Sequence, residues 1–115
     1  MILGSHVIVY SRNAEADRAF FAEVLGQPNV DVGGGWLIFK LPPAELAVHP
    51  SDGPAHELYL MCDDLEATMS ELRSKGVEFT REVSEERWGR ATRFRLPGGG
   101  DVGMYEPRHP LAIDL

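Results

Sequence analysis

The phrase Phe39-Lys40-Leu41-Pro42 returns as Phe94-Arg95-Leu96-Pro97. Upstream of each copy lie an apolar strand-like run, an Asn or Asp, and a helix-like segment that ends at a Gly. Downstream of each, a short run ends in Pro, at Pro50 and at Pro107. A period of about fifty residues with matching internal order is the mark of one supersecondary unit used twice. Two such units must bury their apolar faces against each other or against a second chain. The chain is therefore expected to be one domain, residues 1–115, made of two repeats at about 3–50 and 56–107.

Size and charge narrow the functions. A chain of 115 residues with 43% hydrophobic residues holds one modest core. Eleven Lys and Arg against 18 Asp and Glu, a net charge of −7, leave no ready basic face for nucleic acid. The opening stretch to Tyr10 is too short for a membrane span and alternates like a strand. A single Cys62 rules out an internal disulfide and fits a reducing, cytoplasmic setting.

Within the first half, residues 3 to 11 read as a strand, with Asn13 as the cap of a following helix. Ala16, Phe20 and Val24 share one face of that helix and Gly26 ends it. Gly33-Gly34-Gly35 is a turn, residues 36 to 41 a strand, and residues 45 to 49 a further strand. The second half repeats the order. Residues 58 to 62 form a strand, Asp63 or Asp64 the cap, and Leu65, Met69 and Leu72 the helix face that Gly76 closes. Residues 77–83, 91–96 and 102–105 supply three more strands. Each half is close to βαβββ, and the fold class is α+β.

With these elements placed, the chain resembles the vicinal oxygen chelate superfamily of glyoxalases, bleomycin resistance proteins and extradiol dioxygenases. The resemblance rests on His6 with Asn13 seven residues on, and on Phe20-Phe21 followed by Val24-Leu25-Gly26. It continues through Asp63-Asp64-Leu65-Glu66-Ala67, Lys75-Gly76-Val77-Glu78-Phe79, and Trp88-Gly89-Arg90 ahead of the second Leu-Pro phrase. It implies two βαβββ modules forming a half-open barrel around a central cavity, with the helices outside. Metal-using members hold a divalent ion there on the first and last strands of each module.

Carried over by position, those places fall on His6, Leu46, Glu57 and Gly103. Only His6 and Glu57 can coordinate, fewer than the three ligands a catalytic divalent site normally uses. Another register would gather His6, His56 and Glu106 as two His and a carboxylate. In the first register Glu106 faces away. The cofactor expectation is thus none, with a divalent metal as the alternative.

Strand alternation sorts the second module further. Leu58, Leu60 and Cys62 make an apolar set for the helix side, which turns Glu57, Tyr59 and Met61 into the cavity. Tyr105 is inward by the same rule, and Trp88 sits at the cavity mouth. The expected ligand-binding set is His6, Tyr10, Glu57, Tyr59, Met61, Trp88 and Tyr105, and His6 with Glu57 are the candidates for acid–base catalysis. Each has a plainer reading: His6 as a hydrogen-bonded wall residue, Glu57 as a solvated strand end, the aromatics as barrel core. Trp36 is expected in the core, and His49 and His109 at the surface. Arg90 reads as a solvated loop residue or a cation for an anionic ligand.

Three functions remain open. One is binding of a small organic molecule, aromatic or hydrophobic, with an incomplete metal site. The second is a metal-dependent lyase or dioxygenase using His6 with His56 or Glu57 and Glu106, or a metal-free enzyme run by His6 and Glu57. The third is a non-catalytic dimerisation module. A homodimer is expected because half-barrels leave sheet edges and an open cavity.

Overall fold

The second repeat builds the main sheet. In the computed structural model, which describes residues 6–53 and 55–115, β3 (Tyr59–Met61), β6 (Asp101–Pro107), β5 (Gly89–Arg95) and β4 (Ser84–Glu86) lie side by side in that order. β3 runs parallel to β6 and the other pairs are antiparallel. Between β3 and β4 the chain forms helix α2 (Leu65–Ser74). Asp64 starts it, accepting from Ala67 N at 3.1 Å, and Gly76, at φ 86°, ends it in the left-handed region. Strand, helix and three strands in this order are the βαβββ unit expected for the second half.

One face of this sheet carries the core. Leu65, Met69 and Leu72 of α2 pack on Phe94, Leu96, Val102 and Met104. The first-half helix, α1 (Ala14–Ala19), delivers Phe20 and Phe21 to the same cluster. It runs into a π-helical turn, Phe20–Val24, whose wider winding lets two consecutive aromatics both turn inward. Phe94 is fully buried, with Phe20 at 5.9 Å and Phe79 at 6.0 Å between ring centroids. Its counterpart Phe39 packs on Phe21 at 5.7 Å. Burying an aromatic of this size contributes about 1.5–3 kcal/mol.

A polar latch joins the halves. Asp17 of α1 is buried, and its Oδ1 accepts from Gly98 N at 2.7 Å in the turn between β5 and β6. A side chain at Gly98 would have to occupy the space that Ser11 and Asp17 fill.

The first half departs from the expected strands. Residues 6–11 join no ladder, and the start of that expected strand lies outside the described residues. Residues 45 to 49 form no strand either, and Leu46 and Val48 are exposed. By analogy with β3 and β6 these two segments would have to pair with each other, so the loss of one removes the other. Pro42, Pro43 and Pro50 flank the second segment and, lacking an N–H of their own, cannot extend a ladder on either side of it.

The first half does form a hairpin of β1 (Asn29–Asp31) and β2 (Leu37–Phe39). β1 was not expected, and β2 is shorter than the strand expected over 36–41. The Gly33-Gly34-Gly35 turn is anchored by Asp31, which accepts from Gly33 N and Gly35 N. Over 77–83 only Phe79 bridges to β5, and the regular strand starts later, at Ser84. Trp36, expected in the core, is exposed beneath the Arg18 guanidinium, 4.6 Å from its ring centroid. The result is an α+β fold with mixed pairing, no closed barrel among the described residues, and a sheet with one face open. Among the described residues no helix is long and apolar enough to cross a membrane.

Candidate functional site

The open face is set by alternation. Leu58, Leu60 and Cys62 contact the core, so Tyr59 and Met61 point to the other side, as the sequence pattern requires. In register, Tyr59 stands beside Gly103, and Met61 beside Tyr105. β5 adds Arg93 opposite Gly103 and Ala91 opposite Tyr105.

Gly103 determines how Tyr59 lies. A Cβ at position 103 would fall 2.7 Å from Cζ of Tyr59 and closer still to Cε1 and Cδ1. The phenol ring therefore rests on the bare backbone of β6, in space that any side chain would claim. Tyr105 meets Tyr59 edge to face, at 5.7 Å and 88°. Trp88, in the tight turn between β4 and β5, completes the group at 5.2 Å from Tyr105 and 6.3 Å from Tyr59. Such perpendicular pairs contribute about 0.5–1.5 kcal/mol each beyond area burial. Tyr59 stays 36% exposed and Trp88 38%, so both offer ring surface outward.

His109 extends the group. Its ring stacks on Tyr105, and its Nε2 lies 3.0 Å from the Tyr105 hydroxyl. Nδ1 is 2.8 Å from the Pro110 carbonyl, which can only accept, so Nδ1 carries the proton and Nε2 accepts from the phenol. Burial, and after it the negative charge of Glu45, push the Tyr105 phenol above its ordinary range. The hydroxyl is thus a donor at neutral pH. Glu45 itself accepts from Ala112 N and Ile113 N of the closing 3₁₀ turn, Ala112–Asp114. His109 was expected at the surface; it is half-buried because it serves as this acceptor.

Arg93 supplies the charge of the face. Nη1 is 3.4 Å from Glu57 Oε2 and 3.5 Å from the Tyr59 hydroxyl, and Nε is 3.7 Å from Asp101. The guanidinium also lies 5.6 Å from the Tyr59 ring centroid. Arg90, the cation considered from the sequence, is turned to the helix side of the sheet, away from this face. It is bound at 2.7 Å to both Glu66 and Glu85, and those carboxylates raise its pKa, Glu66 foremost.

The expected site is therefore brought together in part. Glu57, Tyr59, Trp88 and Tyr105 are joined by contacts, and Met61 shares their face. Tyr10 is not with them: with Ser11 and Arg12 it lines a cleft of about 550 Å³ against Gly98, Gly99 and Gly100, at the other end of β5. His6 is exposed, and among the described residues no hydrogen bond or ion pair ties it to the aromatic group. Arg93 and His109 were missed. Alternation offered a signal for Arg93, since Thr92, Phe94 and Leu96 all face the core. His109 lies beyond the strand and gave none.

The residues do not fit a divalent metal site of the superfamily's form. Gly103 offers no donor and lies under the Tyr59 ring, while Leu46 is exposed. Glu106, proposed with His6 and His56, is on the helix side, where its Oε1 accepts from Leu65 N at 3.0 Å. His56 is exposed. Among the described residues no three His, Cys, Asp or Glu side chains gather. At Cys62 burial, opposed by the Thr68 hydroxyl and reinforced by Glu106, pushes the thiol pKa up and disfavours the thiolate.

No family model and no curated protein matches the chain. Solved structures do. An antibiotic-binding protein from a Streptomyces species is 25% identical, over 93% of this chain and 99% of that one, with a TM-score of 0.62. A glyoxalase/bleomycin resistance protein/dioxygenase superfamily member from Sphaerobacter thermophilus is 24% identical, over 91% and 98%, with a TM-score of 0.62. A lactoylglutathione lyase from Agrobacterium tumefaciens is 16% identical, over 90% and 92%, with a TM-score of 0.65. The α+β order, the βαβββ second half, the open sheet face and these likenesses agree: the chain has the vicinal oxygen chelate fold of the glyoxalase/bleomycin resistance/dioxygenase superfamily.

Proposed function

We propose that this protein binds a small aromatic or hydrophobic molecule on the open face of its sheet, without a divalent ion held by its own side chains. The observation that carries the reading is the Tyr59 ring seated on Gly103, flanked by Trp88 and Tyr105 with outward ring surface. Inward aromatics beside a few fixed polar groups suit a flat organic ligand. The likeness to an antibiotic-binding protein at 25% identity supports a binding role. With its proton engaged by His109, the Tyr105 hydroxyl oxygen is left to accept from a ligand O–H or N–H.

A second copy of the chain completes the proposal. Ile8, Tyr10, Leu46 and Val48 expose large apolar surface in first-half segments that lack sheet partners. A homodimer would cover it and wall the open face.

In a Trp36→Phe background, fluorescence reports Trp88 alone. Titration with flat apolar aromatics should quench it saturably, and Tyr59→Ala should weaken binding at least about tenfold, the loss of 1.4 kcal/mol. Sedimentation should give a dimer. Protein purified without a histidine tag should carry less than one equivalent of divalent metal, and added Mn, Fe, Ni or Zn should leave the melting temperature in place. A stoichiometric metal whose stabilisation His6→Ala abolishes would refute the reading.

A further inference from the structure

Two arginines on β5 meet carboxylates in different ways. Arg90, with 22% of its side chain exposed, makes two bonds of 2.7 Å. Arg93 is more buried, at 15%, yet its contacts to Glu57, Tyr59 and Asp101 are 3.4, 3.5 and 3.7 Å. Charged N–H···O bonds normally lie at about 2.7–2.9 Å. A half-buried guanidinium held at such distances keeps donor capacity that the fold does not use closely. Its ladder neighbour, Gly103, has no side chain, and the Tyr59 ring takes that space beside it. Glu57 is 59% exposed in that pair and stays hydrated whether or not Arg93 holds it.

We propose that Arg93 is the anion-binding residue of this site, so that the ligand is a planar aromatic bearing a carboxylate or phenolate. The aromatic part lies against Tyr59 and Trp88. The oxyanion takes the planar fork of Arg93, displacing Glu57 into solvent. A fixed guanidinium thus provides the positive charge on a face where the described residues gather no metal-binding cluster. The proposal rests on the aromatic-site reading above and adds the charge class of the ligand.

Three compounds of one shape test it by titration calorimetry on the full chain: 2-naphthoate, 2-naphthalenemethanol and 2-naphthylmethylammonium. The wild type should prefer the carboxylate at least about tenfold over both others, the scale of one charge-assisted hydrogen bond. Arg93→Met should bring the carboxylate down to the level of the alcohol. Arg93→Lys should restore only part, since it keeps the charge and loses the fork. Glu57→Gln, at an exposed position, should tighten the carboxylate several-fold by removing one of the two carboxylates that hold Arg93. Equal binding of the three compounds by the wild type, or no tightening in Glu57→Gln, overturns the proposal and leaves the aromatic site standing. Failure of all three to bind, with Trp88 fluorescence also silent, overturns the aromatic site and the proposal with it.

Discussion

Gly103→Ala isolates the one close approach on which the open face depends. The added methyl would sit 2.7 Å from Tyr59 Cζ and nearer to two other ring carbons, where ordinary contact begins at 3.4 Å. The backbone of β6 cannot retreat, because Gly103 is bonded in register on both sides, to β3 and to β5. The ring must therefore move by roughly 1 Å or turn away, which breaks its perpendicular contacts with Tyr105 and Trp88. Overpacking of this kind costs about 1–3 kcal/mol. Tyr59 is a third exposed and has solvent to move into, which places the cost at the lower end. Alanine also lowers the chain-entropy cost of a strand glycine by about 0.5–1 kcal/mol. The net is a destabilisation of roughly 0.5 kcal/mol, a fall of about 2 °C in melting temperature for a domain of this size. Urea unfolding measures it, and a double-mutant cycle assigns it. In a Tyr59→Ala background the same substitution should be neutral or stabilising, because the clash is gone. Ligand affinity should drop more than stability does. Identical costs of Gly103→Ala with and without the Tyr59 ring would refute the reasoning.

At the other end of β5, Gly98→Ala would put a methyl 2.8 Å from Asp17 Oδ2 and closer still to Ser11 Oγ; it should destabilise by about 2–3 kcal/mol in urea unfolding while aromatic binding, measured below the melting temperature, is preserved. Glu106→Ala removes the acceptor of Leu65 N at the start of α2, so it should cost about 0.5–2 kcal/mol of stability without changing ligand affinity. The raised pKa of Tyr105 means that the folded state holds its proton more tightly than the unfolded chain. Its contribution is whole below the ordinary value of 10.0 and is lost as pH climbs above it. Melting curves taken upward from pH 9 should fall less steeply for Tyr105→Phe than for the wild type.

The sequence was a good guide wherever an element carries its own partner. Asp64, the Leu65, Met69 and Leu72 face, and Gly76 specify α2 locally, and the helix appears as read. Asn13 likewise caps α1, accepting from Ala16 N at 3.1 Å. Alternation placed Leu58, Leu60 and Cys62 against the core. It failed for residues 6–11 and 45–49, whose apolar pattern suits a strand but cannot supply the neighbour a strand must bond. The repeat itself supports the two Phe residues unequally. Phe94 is fully enclosed while Phe39 is only partly buried, because β2 pairs with three residues of β1 and with no long strand.

The site was harder to read for a related reason. Tyr59 and Tyr105 follow from alternation, a property of one strand. The value of Gly103 follows only from knowing that β6 lies beside β3, with Tyr59 in register. Taken alone, Gly103 reads as a missing metal ligand, a loss. Seen beside Tyr59 it is the clearance that lets a ring lie flat on the sheet. Glu57, which the sequence offered as a catalytic or ligand-binding carboxylate, becomes the partner that Arg93 can release. The aromatic surface of this face thus depends on one residue with no side chain. A search of the sequence for reactive groups passes over such a position, and a substitution there tests the whole face at once.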